Sequence, residues 1–457
     1  MHDKTYPEDT ICAPATAVGG AVAIIRLSGP NSVEIAEKLW QGKKKLCALA
    51  PRILALGQLA RSPEEIIDRE CLAVRMPGPH SYTGEEVVEL HCHGGALCAQ
   101  LALRALLASG CRLADPGEFS KRAFFNGKLD LTQAEAVADL ISAGSEAAVQ
   151  LANRQLSGSF GRQVNQYYQN LLSLLCEIEA RLDFPEDDLE WQSIQQLTEQ
   201  LQNILQQIEL LAASRRQGEI LRGGISLAIA GAPNVGKSSL LNAILGQERA
   251  IVSEIPGTTR DSIEVPISIR GIPIHLIDTA GIRQGGDTIE RIGIERTRKN
   301  LASADLILWV MDASQALLPQ KQQEKLPAGK ILYVANKADC LPEIPPETPA
   351  EFALDGLLYT CALDGSGLEQ LYDAIEQFVW QGKNALENDF AVSARHAFCL
   401  QKAADQIITA IPQLQSETWE LAAAALQQAI SELGKITGQT LSDKILTQIF
   451  AHFCIGK

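Results

Sequence analysis

At 457 residues the chain exceeds what one ordinary hydrophobic core organises, so two or three domains are expected. The apolar share of 46% and charged share of 21% are those of a water-facing globular protein, and no run approaches the roughly eighteen uninterrupted apolar residues of a membrane helix. A net charge of -15 excludes a protein that grips a polyanion over its whole surface. Any RNA contact is then local, at Lys43, Lys44 and Lys45 or at Arg215 and Arg216, or is borrowed from a partner.

The opening MHDKTYPEDT has neither the basic patch and apolar segment of a secretory signal nor the Arg-rich character of an organellar transit peptide, so the expected location is the cytosol. Across residues 1–118, strand-like runs such as 21–27 and 86–91 alternate with Gly/Pro turns, which predicts a compact α/β domain. On a strand, His91 and His93 share one face and Cys92 takes the other, so this triplet does not make a zinc site. The 11 cysteines, odd in number and without a CxxC pair, are expected to be reduced thiols, most of them in cores.

From about residue 119 the periodicity changes. Val164, Tyr167, Leu171, Leu175, Ile178 and Leu182 recur at helical spacing before Pro185, and Ile194, Leu197, Leu201, Ile204, Ile208 and Leu211 form a second stripe. Beyond residue 384 the signal returns, with Ile407, Ile411, Leu426, Ile430, Leu433, Ile445, Ile449 and Phe453 expected to face inward. Between these flanks, residues 218–382 alternate short apolar strands with helices, the pattern of a doubly wound α/β domain. Because the ends of a domain often lie close together, such a unit can be inserted into a helix bundle. The expected architecture is multidomain, α/β and α: an N-terminal α/β domain (1–118), a discontinuous helical domain (119–217 and 383–457) and an inserted P-loop domain (218–382).

Inside that insertion the strand 225–230 runs into GAPNVGKSS, matching GxxxxGK[ST] at Gly231, Gly236, Lys237 and Ser238. Residues Asn234, Val235, Gly236, Lys237, Ser238 and Ser239 form the turn whose amides close on phosphate oxygens. Lys237 reaches the outer phosphates, and the Ser238 hydroxyl suits Mg²⁺. The strand 274–277 leads into Asp278, Thr279, Ala280 and Gly281, where a carboxylate holds the Mg²⁺ shell and a glycine amide senses the γ-phosphate. Strand 330–335 ends in Asn336, Lys337, Ala338 and Asp339. The Asp339 carboxylate accepts the paired N1 and exocyclic amino hydrogens of guanine, a donor pair adenine lacks, so the expected substrate is GTP. Cys361 and Ala362 follow strand 357–360 like the SAK loop of GTPases, with Cys in the place of Ser and the Ala362 amide facing guanine O6. Gly257, Thr258, Thr259, Arg260 and Asp261 occupy the switch I position, with Thr259 a second Mg²⁺ ligand.

After Gly281 stands Ile282, where Ras-like enzymes carry a water-orienting glutamine, so another group must do that work. The motifs GxPNxGKS, GTTRD, DTAGIR, ERIGIER and the final FCIGK resemble the tRNA-modification GTPases of the MnmE/TrmE family over nearly the whole chain. The resemblance implies a potassium ion held by Asn234, Ser253, Ile255 and Thr258, its charge set where an arginine finger would lie. It also implies that Glu290 orients the attacking water; without it Glu290 is a solvated residue at the start of a helix.

For the first domain the resemblance implies dimerisation and a pocket for 5-formyl-tetrahydrofolate or a related one-carbon folate, with Arg26, Glu89 and Lys128 as contacts and Lys457 in reach. In isolation each of those three is better explained by a surface or structural salt bridge. The turn before Arg26, ATAVGGAV, is shorter and poorer in proline and glycine than the family's. Cys454 is either a nucleophile that adds to a pyrimidine ring or a small buried residue. The implied function is shared with an FAD-binding partner of the MnmG/GidA type: an aminomethyl-type group of the carboxymethylaminomethyl class is installed at C5 of the tRNA wobble uridine, and GTP hydrolysis drives a conformational cycle. A ribosome-assembly GTPase of the Era or Der type is the alternative, but it would append a basic RNA-binding domain or repeat the GTPase.

Overall fold

The computed structural model describes residues 9–184, 191–247, 265–277, 301, 303–315, 330–341, 357–380, 390, 392–451, 453, 455 and 456. The chain divides into two compact units, one of Met1–Ala138, Gln155–Glu209 and Phe398–Lys457, the other of Asp139–Arg154 and Leu210–Ala397.

The first unit begins with β1 (Ile11–Pro14), β2 (Val22–Ser28), α1 (Ser32–Glu37), β3 (Trp40–Gly42), β4 (Ala55–Ala60), β5 (Ile66–Met76), β6 (Val87–His93), α2 (Ala96–Ala108) and β7 (Arg112–Leu113). These strands form one seven-stranded sheet in the order β3-β4-β5-β6-β2-β1-β7, antiparallel except for β1 with β7. Alternation along β2 explains the layering: Ala23, Ile25 and Leu27 are buried in a core shared with Ala99, Ala102 and Leu106 of α2, while Arg26 points to the other face. Arg26 stands opposite Glu89 in the β2–β6 register, so the ladder places unlike charges side by side.

Helices follow: α3 (Glu118–Phe125), α4 (Leu131–Ser142), α5 (Glu146–Leu156), α6 (Ser159–Asp183), α7 (Ile194–Ala213) and α8 (Arg215–Gly223). The predicted stripes lie on their buried faces, Val164, Tyr167, Leu171, Leu175 and Ile178 on α6 and Leu197, Leu201, Ile204, Ile208 and Leu211 on α7.

The second unit holds β8 (Ile225–Gly231), α9 (Lys237–Gln247), β9 (Val265–Ile269), β10 (Ile272–Ile277), β11 (Leu306–Asp312), β12 (Ile331–Asn336), β13 (Leu357–Thr360) and α10 (Leu368–Trp380). Its six-stranded sheet has the order β13-β12-β11-β8-β10-β9, parallel throughout except for the β9 edge. Separate apolar clusters cover its two faces, and every residue of the central strand β11 is buried, as a parallel sheet packed on both sides requires. The chain runs outward from β8 to both sides, which makes the C-terminal end of β8 the topological switch point where such sheets bind ligands.

The chain ends with α11 (Ala394–Gln415), α12 (Trp419–Thr437) and α13 (Asp443–Phe450). The small side chains of Ala422, Ala425 and Ala429 let α12 lie close along α6, and Gln427 reaches Glu179 across that contact at 2.9 Å. One sequence expectation is corrected here. Ile445 is 44% exposed, and the inward positions of α13 are Leu446 and Phe450, packed with Leu131 and Ala134. The stripe read on α12 does not carry its phase through the break at Gly438, where φ is +89°, so the short helix restarts one residue later.

Candidate nucleotide-binding site

Strand β8 delivers Gly231 at its C-terminal end with φ +145°, and a Cβ there would collide with the Val310 carbonyl oxygen of β11. Gly236, at φ +96°, lies against the Asn336 side-chain amide, where a Cβ would again collide. Only glycine permits both the close approach and the backbone conformation at these two positions. Between them Asn234 takes φ +64°, a left-handed conformation that asparagine tolerates better than most residues, and its side chain is exposed. Val235 turns inward and anchors the loop. Helix α9 starts at Lys237, so its free amides face the turn, with Ser238 and Ser239 exposed beside them. The Lys237 ammonium donates to the carbonyls of Gly231 at 2.9 Å and Ala232 at 2.6 Å. Burial draws its pKa below the usual lysine value.

Asn336 ties this loop to the base-recognition segment. Its side-chain Nδ2 donates to the Val235 carbonyl at 3.0 Å, and its Oδ1 accepts from the Ala362 amide at 3.2 Å and the Thr360 hydroxyl at 3.4 Å. Lys337, in the left-handed region at φ +65°, sends its ammonium 2.7 Å to Asp312 Oδ2. Asp312 also accepts from the amide and hydroxyl of Ser314, and the Lys337 and Ser314 bonds hold its carboxyl below the usual range. Asp312 is a positioning residue that sequence motifs missed; its one sign was a carboxylate closing the apolar strand LILWVMD. Asp339 is exposed and free to meet a ligand, while Cys361 is buried. Burial pushes the Cys361 thiol up, outweighing the opposing pull of the Asp364 and Leu363 backbone amides. Asn234, Val235, Gly236, Lys237, Ser238, Ser239, Asn336, Lys337, Asp339, Cys361 and Ala362 thus all lie at or just after the C-terminal ends of β8, β12 and β13. Ser253, Ile255, Thr258, Thr259, Asp278, Thr279, Ala280, Gly281, Glu290, Cys454 and Lys457 lie outside the described residues.

In the first unit Arg26 donates through Nε to Glu89 Oε1 at 2.7 Å. Its guanidinium sits 5.5 Å from the Tyr82 ring centre and 5.7 Å from that of Phe119. Burial raises the Glu89 pKa, but His91 and Arg26 outweigh it and the carboxyl stays below its usual value. Lys128 donates to the Pro79 carbonyl at 3.1 Å. The turn before Arg26 closes on the end of β6, Gly19 donating to the Gly94 carbonyl at 2.9 Å and Gly94 to that of Ala21 at 3.0 Å.

Against this geometry, the family profile described as the MnmE helical domain matches residues 131–454, and 42% of positions over the full length are identical to a "tRNA modification GTPase MnmE" from Synechococcus sp. (strain JA-3-3Ab). The chain belongs to the MnmE family. A second profile, the GTP-binding protein TrmE N-terminus, matches residues 10–128. The alignment to the Synechococcus protein covers 100% of both chains. MnmE of Synechococcus elongatus is 43% identical over 98% of this chain and 99% of its own, and MnmE of Alkaliphilus metalliredigens (strain QYMF) is 40% identical over 99% and 100%. The curated relatives are named tRNA modification GTPases, and GTP hydrolysis in tRNA modification is the activity of this family. No described helix is long and apolar enough to cross a membrane.

Proposed function

We propose that this protein hydrolyses GTP to drive modification of tRNA, at C5 of the wobble uridine, together with an FAD-binding partner. The observation that carries this reading is the Asn336 side chain, which couples the phosphate loop to the guanine-reading segment so that phosphate and base are bound as one unit. Asp339 selects guanine, the Ala362 amide, held by Asn336 Oδ1 without a base, is the donor within reach of O6 when the base binds, and Lys237 and the α9 amides hold the phosphates.

Ser238, exposed at the start of α9, fits a Mg²⁺ ligand, with Thr259 and the Asp278–Gly281 motif completing the set on the same reading. The exposed, left-handed Asn234 fits a potassium ligand, with Ser253, Ile255 and Thr258. A monovalent ion there supplies the positive charge that an arginine finger supplies elsewhere. Glu290 orients water in place of the missing glutamine.

In the first unit the Arg26–Glu89 pair, beside the Tyr82 ring, offers charged and aromatic groups that suit a one-carbon folate, with Lys128 and Lys457 as further contacts and Cys454 as a nucleophile on the same reading. The working organisation is a cytoplasmic homodimer with a folate and dimerisation domain (1–118), a helical domain (119–217 and 383–457) and the inserted GTPase domain (218–382). The test is mass spectrometry of tRNA nucleosides from a deletion strain, paired with GTP turnover of the purified chain in potassium and in sodium at matched ionic strength. The expected result is loss of the wobble-uridine modification and faster turnover in potassium. Intact modification alongside defective ribosomal subunits would favour a ribosome-assembly switch instead.

A further inference from the structure

The start of β5, the end of β6 and the first turn of α2 bring sulfur and oxygen donors together at one end of the N-terminal sheet. Asp68 lies on β5, Cys92 near the end of β6, and Cys98 at the third residue of α2. One carboxylate oxygen and the two Sγ atoms lie within 4.8 Å of one another. Asp68 and Cys92 are buried, while Cys98 is half-buried and gives solvent access.

The Asp68 carboxylate accepts from the His93 amide at 2.7 Å and the Glu70 amide at 3.2 Å, and among the described residues its ion-pair partner is the His93 ring, with Nδ1 2.9 Å from Oδ1. Cys98 Sγ points at Asp68 Oδ2 at 3.8 Å and at the Ile67 carbonyl at 3.9 Å, and Cys92 Sγ at the Ala23 carbonyl at 3.4 Å. Two thiols and a buried carboxylate therefore converge with oxygen acceptors around them and no Lys or Arg among their described ion pairs. Three ligand atoms of the types zinc takes thus already lie within the span of one coordination sphere.

We propose that Asp68, Cys92 and Cys98 bind one Zn²⁺. On binding, both thiols release their protons to solvent and form Zn–S bonds, the carboxylate supplies the third ligand, and water fills the fourth position. Mixed thiolate and carboxylate donors select zinc over magnesium or calcium, which take all-oxygen shells. The three anionic ligands leave a net negative site, which the free amides at the start of α2 stabilise. His93, bonded through Nδ1 to Asp68, is the outer partner that orients a ligating carboxylate. The ion would pin the first turn of α2 to β5 and β6. The pairing was hidden in the sequence because HCH offered two histidines on the wrong face, while the other ligands come from residues 68 and 98.

The test titrates the reduced, chelator-treated full-length chain with Co²⁺ as the probe. One equivalent should give near-ultraviolet sulfur-to-cobalt charge-transfer bands and strong visible bands of tetrahedral cobalt, both removed by added Zn²⁺; cobalt at a magnesium site is six-coordinate and gives neither. Cys98→Ser and Asp68→Asn should abolish these bands, and His93→Ala should keep them while weakening affinity about 10- to 100-fold. Cys47→Ser and Cys176→Ser, at exposed cysteines elsewhere, should leave them intact. Unchanged GTP turnover and circular dichroism in the Cys98 and Asp68 variants would certify their fold. Absence of charge transfer in the wild type, or bands that survive Cys98→Ser, would overturn the proposal. So would a chain that takes up no metal and instead joins Cys92 to Cys98 on treatment with peroxide.

Discussion

Each side-chain polar atom of Asn336 holds a different part of the candidate nucleotide site: Nδ2 donates to the Val235 carbonyl and Oδ1 accepts from the Ala362 amide. Replacing it by alanine leaves the Val235 carbonyl and the Ala362 amide without these partners in a buried setting. The expected cost is about 1–3 kcal/mol in stability, and affinity for GTP and for GDP should fall together, because base and phosphate contacts are loosened at once. Isothermal titration of Asn336→Ala with both nucleotides checks this; a loss confined to GTP would place the effect at the γ-phosphate instead. Arg122 is the comparable residue in the first unit. Its buried guanidinium bonds to Asp9 at 2.6 Å, Glu118 at 3.0 Å and Glu85 at 3.1 Å. Burial raises the Glu118 pKa, but bonds from Arg112, the Asp115 amide and Arg122 bring it below its usual 4.5. A carboxylate with a depressed folded pKa stabilises the fold above its unfolded value and loses that contribution as pH falls through the folded one. Thermal midpoints should therefore drop as pH is lowered below about 4.5. Arg122→Met should cost about 3–5 kcal/mol at neutral pH by stranding the carboxylates, and should flatten that acid decline.

At the scale of elements, helical period was the most legible feature, because α6 and α7 each repeat their apolar residues over several turns and bury the residues that period selects. The runs that became β2 and β6 were legible within a residue or two, since alternation marks a strand. Strand order was not, because it depends on pairings such as β1 with β7 that join residues far apart in the chain. The turn between β8 and α9 was legible because its glycines mark it, Gly231 and Gly236 both taking positive φ. Asp312 and Asp68 were not, since a single carboxylate in a strand carries no periodic signal. The phase of α13 was lost at Gly438, and that residue makes its own prediction. Its φ of +89° ends α12, and a Cβ would come within 2.7 Å of the Phe124 ring. Gly438→Ala should destabilise the first unit by about 1–3 kcal/mol through backbone strain and displaced packing. Leu426→Ala on the buried face of α12 should cost about 2–5 kcal/mol by leaving a cavity. Chemical denaturation distinguishes the two, because a Gly438→Ser variant should repeat the first loss while a Leu426→Met variant should recover most of the second.

For the whole molecule the governing quantity is a net charge of -15, set against a proposed polyanionic substrate. Each phosphate neutralised by a lysine or arginine releases condensed counterions, so the slope of log affinity against log salt counts the basic contacts, at about 0.7 per contact for single strands and about 0.9 for a duplex. An acidic chain with only short basic runs at residues 43–45 and 215–216 should show a shallow slope and weak binding to tRNA on its own. If the FAD-binding partner provides the grip, the slope for the two proteins together should be steeper, by an amount that equals the slope of the partner alone. Filter binding of tRNA across a salt series, for each protein and for the pair, measures all three slopes. A steep slope for this chain alone would move the RNA-binding surface onto it, and charge reversal at Lys43, Lys44 and Lys45 would then separate a local patch from a distributed one.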